Sequence, residues 1–164
     1  MYKGKEWVEV EGMEELGMSI VFAGTYAHNM DGKCRTMIPA CFREHLSLGF
    51  TIALNTTIDA LAIYPPAKWE EINDRLSRVR ETDDEAMDYL RLVMANAQPN
   101  TEMDAQGRVL LPSSLRDFVG ITRAITFVGM RDHIEVWDTE AFTEKVRVTR
   151  EKFAALRKHV NEVY

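Results

Sequence analysis

Apolar and polar positions follow one pattern twice along the chain. A shift of 73 positions carries segment 31–43 (DGKCRTMIPACFR) onto segment 104–116 (DAQGRVLLPSSLR). The same shift, without a gap, aligns further positions: Ile52 with Ile125, Asp59 with Asp132, Leu61 with Ile134, Ile63 with Val136, Tyr64 with Trp137, and Trp69 with Phe142. A single offset that keeps apolar and turn residues over about 40 positions indicates two copies of one supersecondary unit.

Each copy predicts the element order ββαββ. In the first copy we expect strands over 19–27, 35–38, 50–54 and 61–64, a turn at 31–32, and a short helix over 40–46. In the second copy the strands are 94–103, 108–111, 124–128 and 134–137, with a turn at 106–107 and a helix over 113–119. Pro39 and Pro112 stand at the helix starts, where the N–H that proline lacks would have no partner. A unit of about 45 residues is marginal alone, so the two copies are expected to share one core.

Further helices are predicted between and after the copies. The connecting pair is indicated by two apolar stripes: Trp69, Ile72, Leu76 and Val79 in the first helix, and Leu90, Val93 and Ala97 in the second. The sequence TDDE at 82–85 is a capping box that opens the second of these helices. A final helix, capped by Asp138, is expected over 139–163.

The final helix carries an apolar seam with alternating spacings of four and three residues, which is typical of helix packing. Its members are Phe142, Val146, Thr149, Phe153, Leu156 and Val160. Two partners remain open for this seam, the chain's own sheet or another subunit. On the second interpretation, oligomerisation rests on Phe142, Val146, Phe153, Leu156 and Val160.

Composition narrows the class of protein. The chain has 164 residues, 46% of them apolar and 28% charged, the balance of one globular domain or two small ones. No run approaches the ~20 apolar residues of a membrane span, and the acidic first 17 residues lack the apolar stretch of a secretory signal. Two cysteines are too few for a disulfide scaffold. These features favour the cytoplasm and no membrane partner, while a net charge of −6 argues mildly against nucleic acid.

Tandem Asp-x-x-x-Arg motifs, each followed by two apolar residues, a proline and a further arginine, resemble those of the MraZ family. The segments 24–31 (GTYAHNMD) and 134–138 (IEVWD) are also similar to the family's sequences. The resemblance covers nearly the whole chain from Met18 onward. It implies an α+β fold of two tandem AbrB-like swapped-hairpin units, which form a pseudo-twofold β-barrel core with peripheral helices.

The resemblance divides the chain into five segments. Residues 18–65 and 98–138 are the two AbrB-like units, 66–97 is a helical connector, and 139–164 is the C-terminal helix. Residues 1–17 are an extension that the family generally lacks. They are interpreted either as non-native or disordered, with Met18 as the natural start, or as a genuine acidic extension.

A function follows from the resemblance. MraZ proteins are bacterial transcriptional regulators of the division and cell-wall operon, and they form rings that bind short direct repeats in its promoter. The expected partners are therefore double-stranded DNA and further copies of the chain, at the nucleoid. An antitoxin-like protein-binding module of the AbrB class is the alternative, and a purely structural oligomer is a third interpretation.

Arginines near the two turns are the candidate DNA contacts, because a guanidinium fork matches guanine O6 and N7 or a phosphate. The set is Lys33, Arg35 and Arg43 in the first copy, with Arg108 and Arg116 in the second. The supporting turn residues are Asp31, Gly32 and Pro39 in the first copy, and Asp104, Gly107 and Pro112 in the second. The plainer interpretation is that each Asp–Arg pair only braces its turn, and both can hold together. Arg43 and Arg116 lie inside short helices, which favours a structural or phosphate-contacting role over base reading.

The two copies differ in charge near the turn. Gln106 replaces Lys33, and Glu102 lies close to the second turn. We therefore expect the first copy to contribute more of the DNA affinity. A ring would gather the arginine tips on one face, so that weak contacts add despite the acidic net charge.

One residue departs from the family pattern at the first turn. The family usually has glycine before the first motif's arginine, where this chain has Cys34. Cys34 then either distorts the turn or shows that it needs no positive φ, with Gly32 available to take over the role. A redox role for Cys34 stays open.

The sequence gives little support for a metal site or for catalysis. The spacing of Cys34 and Cys41 is not that of usual zinc ligands, so we expect no metal. The chain has no glycine-rich phosphate loop, no Ser-His-Asp set and no paired catalytic carboxylates. An enzyme, a cofactor and a small-molecule substrate are therefore not expected.

Overall fold

The computed structural model describes residues 21–164 of the chain. The interpretation of segment 1–17, and the first residues of the predicted strand 19–27, lie outside this part. Its strands are β1 (Thr25–Asn29), β2 (Arg35–Met37), β3 (Phe50–Leu54), β4 (Leu61–Tyr64), β5 (Gln98–Thr101), β6 (Arg108–Leu110), β7 (Ala124–Gly129) and β8 (Ile134–Asp138). The helices are α1 (Ala40–Arg43), continued by a 3₁₀ turn over Glu44–Leu46, α2 (Pro66–Leu76), α3 (Asp84–Ala95), α4 (Ser113–Val119), α5 (Thr139–Glu151) and α6 (Phe153–Val163).

The two copies exchange strands. A six-stranded antiparallel sheet has the order β1-β7-β8-β4-β3-β5, and a separate two-stranded ribbon pairs β2 with β6. The first strand of each copy thus pairs with the third strand of the other copy, β1 with β7 and β5 with β3. Neither copy can form this sheet without the other, which confirms that they share one fold.

A pseudo-twofold axis runs through the pairs that join the copies. In the ribbon, Thr36 pairs with Val109, and in the sheet, Ala62 pairs with Glu135. Each pair consists of residues that are 73 positions apart, so each lies where an axis relating the copies must pass. The sequence repeat is therefore also a structural symmetry.

The main core is built from matching positions of both copies. Its fully or nearly fully buried members include four pairs related by the repeat: Ile38 and Leu111, Phe42 and Leu115, Ile52 and Ile125, and Ile63 and Val136. A second cluster lies on the outer face of the sheet, where α2 and α3 cover Ala53, Ala62 and Tyr64. Every residue of β3 and β4 is buried because both faces of these strands are covered.

Several predicted boundaries are wrong. Within the described residues the first strand runs over Thr25–Asn29 and does not end at 27. Before it, Phe22 forms only an isolated antiparallel bridge with Arg131, because Gly24, with φ 91°, interrupts the strand. The second copy's first strand is only β5, since Met94 belongs to α3. The N-cap of α3 is Asp83, whose carboxylate accepts from the N–H of Ala86, and not Thr82.

The final helix is not continuous. It breaks at Lys152, which has φ −104° and ψ 3°, so that α5 and α6 are separate helices. The α+β class is confirmed. In the described part of the chain β1 and β5 are the outer strands of the sheet, so closure into a barrel remains a prediction.

Candidate nucleic-acid interface

The two Asp-x-x-x-Arg turns have the same hydrogen bonds. In the first, Asp31 accepts from the backbone N–H groups of Lys33 and Arg35 at 2.8 and 3.0 Å, and from Arg35 Nε at 2.9 Å. In the second, Asp104 accepts from the N–H groups of Gln106 and Arg108, both at 2.9 Å, and from Arg108 Nε at 2.7 Å. One carboxylate thus closes each turn and also orients its arginine.

The same hydrogen bonds shift the carboxyl pKa values. The pKa of Asp31 is lowered to about 2, most strongly by the backbone N–H of Arg35 and next by its side chain. The pKa of Asp104 is also lowered, first by the backbone N–H of Arg108. Both carboxylates are therefore ionised at neutral pH, and each holds a guanidinium that keeps part of its surface exposed.

The ribbon brings the arginines of both copies onto one surface. Arg35 pairs with Leu110 and Met37 pairs with Arg108, so these four side chains lie on the same side of the ribbon. We call this surface the ribbon face. The opposite side, Thr36 and Val109, is buried. Arg35 and Arg108 are diagonal neighbours, with roughly 7–8 Å between them at the backbone.

Arg43 and Arg116 do not lie on the ribbon face. Arg43 Nε donates to the carbonyl of Ile38 at 2.8 Å, and Arg116 Nε donates to that of Leu111 at 3.0 Å. Each of these carbonyls precedes the proline that begins a short helix. Both arginines are half-buried, so their contacts in the described structure are with the fold itself.

Each turn is held by the other copy. The N–H of Ile38 donates to the carbonyl of Gly107 at 2.9 Å, and the N–H of Leu111 donates to that of Cys34 at 3.1 Å. The side chain of Arg43 also lies over Gly107, where a Cβ atom would come within 2.6 Å of its Nε. The arginines therefore sit on a scaffold to which both copies contribute.

Cys34 has the backbone conformation of the glycine that it replaces. Its φ is 58°, and that of Gly107 at the equivalent position is 77°. The turn therefore does need a positive φ, and the alternative in which it does not is wrong. Gly32 does not take over the role, because its own φ is not positive.

An arginine that the repeat does not reveal lies beside the first turn. Arg123 lines a cavity of about 300 Å³ together with Asp31, Gly32 and Cys34. Its counterpart 73 positions earlier is the buried Phe50, so no motif marks it. Lys33 and Arg123 are both exposed, which gives the first turn more positive charge than the second.

Most of the apolar seam of the C-terminal helices is exposed to solvent. Phe142 contacts Trp137, with ring centroids 5.8 Å apart. Beyond it, Val146, Phe153, Leu156 and Val160 are all exposed, Phe153 by 61%. Packing against the chain's own sheet is therefore limited to the start of α5.

Within 21–164, no three or more His, Cys, Asp or Glu side chains are grouped so as to hold a metal ion. No helix in this range is long and apolar enough to cross a membrane.

The sequence matches a known family and is similar to several of its members. Residues 21–92 and 94–160 each match the family described as "MraZ protein, putative antitoxin-like". A transcriptional regulator MraZ of Moorella thermoacetica is 33% identical over 136 residues, 83% of this chain and 94% of the relative. The protein of the same name from Carboxydothermus hydrogenoformans is 35% identical over 120 residues, 73% and 82% of the two chains. That of Caldanaerobacter subterraneus is 32% identical over 138 residues, 84% and 95%.

Proposed function

This chain belongs to the MraZ family of transcriptional regulators, and we propose that it acts by binding double-stranded DNA with its ribbon face. The relatives are named as regulators and not as enzymes. The proposal places the protein in the cytoplasm, at the nucleoid, with no membrane or small-molecule partner. We further propose that the two units, 18–65 and 98–138, are AbrB-like swapped hairpins around a barrel, joined by 66–97 and followed by 139–164.

The observation that carries the proposal is the joint presentation of Arg35 and Arg108. Two guanidinium groups, one from each copy and each oriented by an aspartate, project from an exposed two-stranded ribbon. The major groove of DNA is about 12 Å wide and admits such a ribbon. An arginine fork can then bind the O6 and N7 atoms of guanine or a phosphate.

Within the proposed site, Lys33 binds phosphate from the tip of the first turn. Arg43 and Arg116 support the turns from below, since each donates to the carbonyl that precedes a helix. Arg123, which is exposed beside the first turn, adds to its positive charge. The first copy therefore contributes more of the affinity.

The target that we propose is the set of direct repeats in the promoter of the division and cell-wall operon. Single ribbon contacts with a short repeat are weak, but a ring of subunits would engage several repeats at once and add their contributions. Such multivalent binding explains how a chain with net charge −6 can hold DNA. Occupied repeats would then alter the access of RNA polymerase to the promoter.

The ring is proposed to form through α5 and α6. In the repeat, α2 corresponds to most of α5. The helix after α2 is α3, which packs Leu90 and Val93 against the apolar cluster of α2 and so covers it. In α6, the helix that follows α5, every residue is exposed. Its apolar side chains, Phe153, Leu156 and Val160, are therefore available to a neighbouring subunit.

An antitoxin-like role is the second candidate, and the words "antitoxin-like" in the family's description favour it. In that case the exposed side of α6 would bind a toxin instead of another copy. A pure antitoxin would need no sequence preference in DNA.

Binding to DNA from upstream of the protein's own gene tests the proposal. The competitor is a shuffled fragment of equal length and composition. We expect the wild-type protein to prefer the upstream fragment, and Arg35→Ala/Arg108→Ala to lose that preference while keeping its oligomeric mass. Equal affinity of the wild-type protein for both fragments would reject the proposal.

A further inference from the structure

Two exposed apolar side chains share the ribbon face with the two arginines. Met37 is 42% exposed and Leu110 is 56% exposed. They are related by the repeat, and they occupy the diagonal that Arg35 and Arg108 leave free. The carboxylates of Asp31 and Asp104 draw the guanidinium groups toward the two turns. Each end of the ribbon face therefore carries one arginine and one exposed apolar side chain, with Leu110 opposite Arg35 and Met37 opposite Arg108.

The strand pairing of the ribbon keeps Met37 and Leu110 exposed. The alternate residues, Thr36 and Val109, are each only 2% exposed and fix which side of the ribbon faces inward. Because strand side chains alternate, Met37 and Leu110 cannot turn into the core without disrupting that packing. They remain on the surface that carries the arginines.

We propose that Met37 and Leu110 contact the C5-methyl groups of thymines and so determine sequence preference next to the groups that the two arginines bind. This inference rests on the proposed DNA-binding function. The thymine methyl is the apolar group on the major-groove edge of the base pairs, and apolar side chains are its usual partners. With each arginine on guanine or phosphate, the apolar side chain opposite it on the ribbon faces a neighbouring base edge.

Thymine fits this surface better than a second copy of the chain does. The cores of protein interfaces are depleted of charge and form larger apolar patches. Here each of the two apolar side chains pairs with an arginine across the ribbon. The positive charge of these arginines complements phosphate on either side of a groove. The occupant is therefore DNA.

The two apolar residues are equivalent in position but not in shape. Leu110 is branched and has few rotamers, whereas Met37 is unbranched and adapts to irregular surfaces. Leu110 should therefore discriminate more sharply between bases with and without a methyl group. The halves of each site are then read with different stringency.

The test compares two forms of the fragment from upstream of the protein's own gene, one made with thymidine and one with deoxyuridine throughout. Deoxyuridine lacks only the methyl group. We expect the wild-type protein to bind the deoxyuridine form about three- to tenfold more weakly, the size expected for one or two partly buried methyl groups. Met37→Ala/Leu110→Ala should bind the thymidine form more weakly and respond little to the replacement.

For each protein we compare the ratio of its affinities for the thymidine and deoxyuridine forms. An effect of uracil on DNA shape changes this ratio equally in every variant, so it cancels when the variants are compared. Leu48→Ala is the matched control, since Leu48 is 91% exposed and lies outside the ribbon. It should keep the wild-type ratio of affinities. Thermal melting and oligomeric mass verify that all variants are folded and assembled.

An equal ratio of affinities in the wild-type protein and Met37→Ala/Leu110→Ala would overturn the inference while leaving DNA binding intact. A loss of oligomeric mass in the double variant, with no effect of uracil on the wild-type protein, would also overturn it and assign the pair to a contact between copies. If the wild-type protein prefers neither fragment over shuffled DNA, the proposed function fails and the inference fails with it.

Discussion

Each aspartate of the tandem motifs serves two purposes, since it accepts from backbone N–H groups of the turn and from the arginine that the turn displays. This explains why the same residues support both interpretations of the motif. An ion pair at a surface contributes only ~0–1 kcal/mol by itself. Its main effect here is to restrict the guanidinium of Arg35 to one direction.

Asp31→Asn should lower the melting temperature at neutral pH. The folded pKa of Asp31, about 2, lies below that of the unfolded chain. Its ionised form therefore stabilises the fold above pH ~4, and this stabilisation is lost as the pH falls toward 2. Melting from pH 7 to pH 2 should show the difference between wild type and variant shrinking through that range.

Asp88→Asn is the control for this series, because the Asp88 carboxylate holds only the exposed Arg91 side chain on α3. It should change the melting temperature less at every pH. Identical melting of Asp31→Asn and the wild-type protein at pH 7 would contradict the role given to the turn.

Cys34→Gly should stabilise the protein by about 1 kcal/mol, because a non-glycine residue at positive φ is strained by roughly that amount. Gly107→Cys should do the opposite, and more strongly, since its side chain would also meet Arg43. Urea unfolding of both variants measures the two effects. A destabilised Cys34→Gly would show that the thiol makes contacts that outweigh the strain.

At the scale of elements, local patterns were good predictors of the buried strands and of the short helix α4. Local patterns are poor predictors where residues are only partly buried, and where a helix breaks without any change in its apolar spacing. The predicted bounds of strand β1 are wrong because its residues are exposed or only half-buried, so the sequence carries little apolar pattern there. The break at Lys152 was missed because the apolar spacing of the seam continues through it.

The ribbon could not be predicted from local sequence. Strands β2 and β6 have three residues each and pair across the two copies, so neither contains information about its partner. The exchange follows only when both copies are considered together. Arg123 cannot be predicted from local sequence either, because only the pairing of β1 with β7 places it beside the first turn.

Charging the exposed side of α6 should break the assembly without unfolding the chain. We expect Leu156→Glu to reduce the oligomeric mass measured by light scattering and to leave the melting temperature of the subunit nearly unchanged, since Leu156 is exposed. Affinity for DNA with several repeats should fall by about 10- to 100-fold through lost multivalency.

Lys158→Glu is the control, because Lys158 lies on the opposite side of the same helix. It should keep the assembly. An unchanged mass for Leu156→Glu would remove α6 from the subunit interface and would favour a different partner for the seam.

At the scale of the whole molecule, the fold combines symmetry of structure with asymmetry of charge. The pseudo-twofold axis makes the two turns equivalent in geometry, whereas Lys33 and Arg123 enrich only the first in positive charge. A ring of subunits would repeat these two unequally charged turns around its circumference. Under the proposed function, one subunit would bind DNA in a single orientation, which suits direct rather than inverted repeats.

The two arginines should therefore differ in effect. We expect Arg35→Ala to weaken binding to the upstream DNA by about tenfold or more, and Arg108→Ala to weaken it less. Fluorescence anisotropy at one salt concentration compares them directly. Equal losses would show that the charge around the turns does not decide their contributions.

The central claim, that the ribbon face binds DNA, is tested most directly by the salt dependence of binding to the upstream fragment. Arg35→Ala/Arg108→Ala is compared with the wild-type protein and with Arg91→Ala, which removes an aspartate-paired arginine from α3 instead. We expect a steep salt slope for the wild-type protein and Arg91→Ala. In the double variant affinity should be lower, and the slope should be reduced by about one for each arginine that contacts a phosphate. A double variant with wild-type affinity and slope, at unchanged oligomeric mass, would contradict the account.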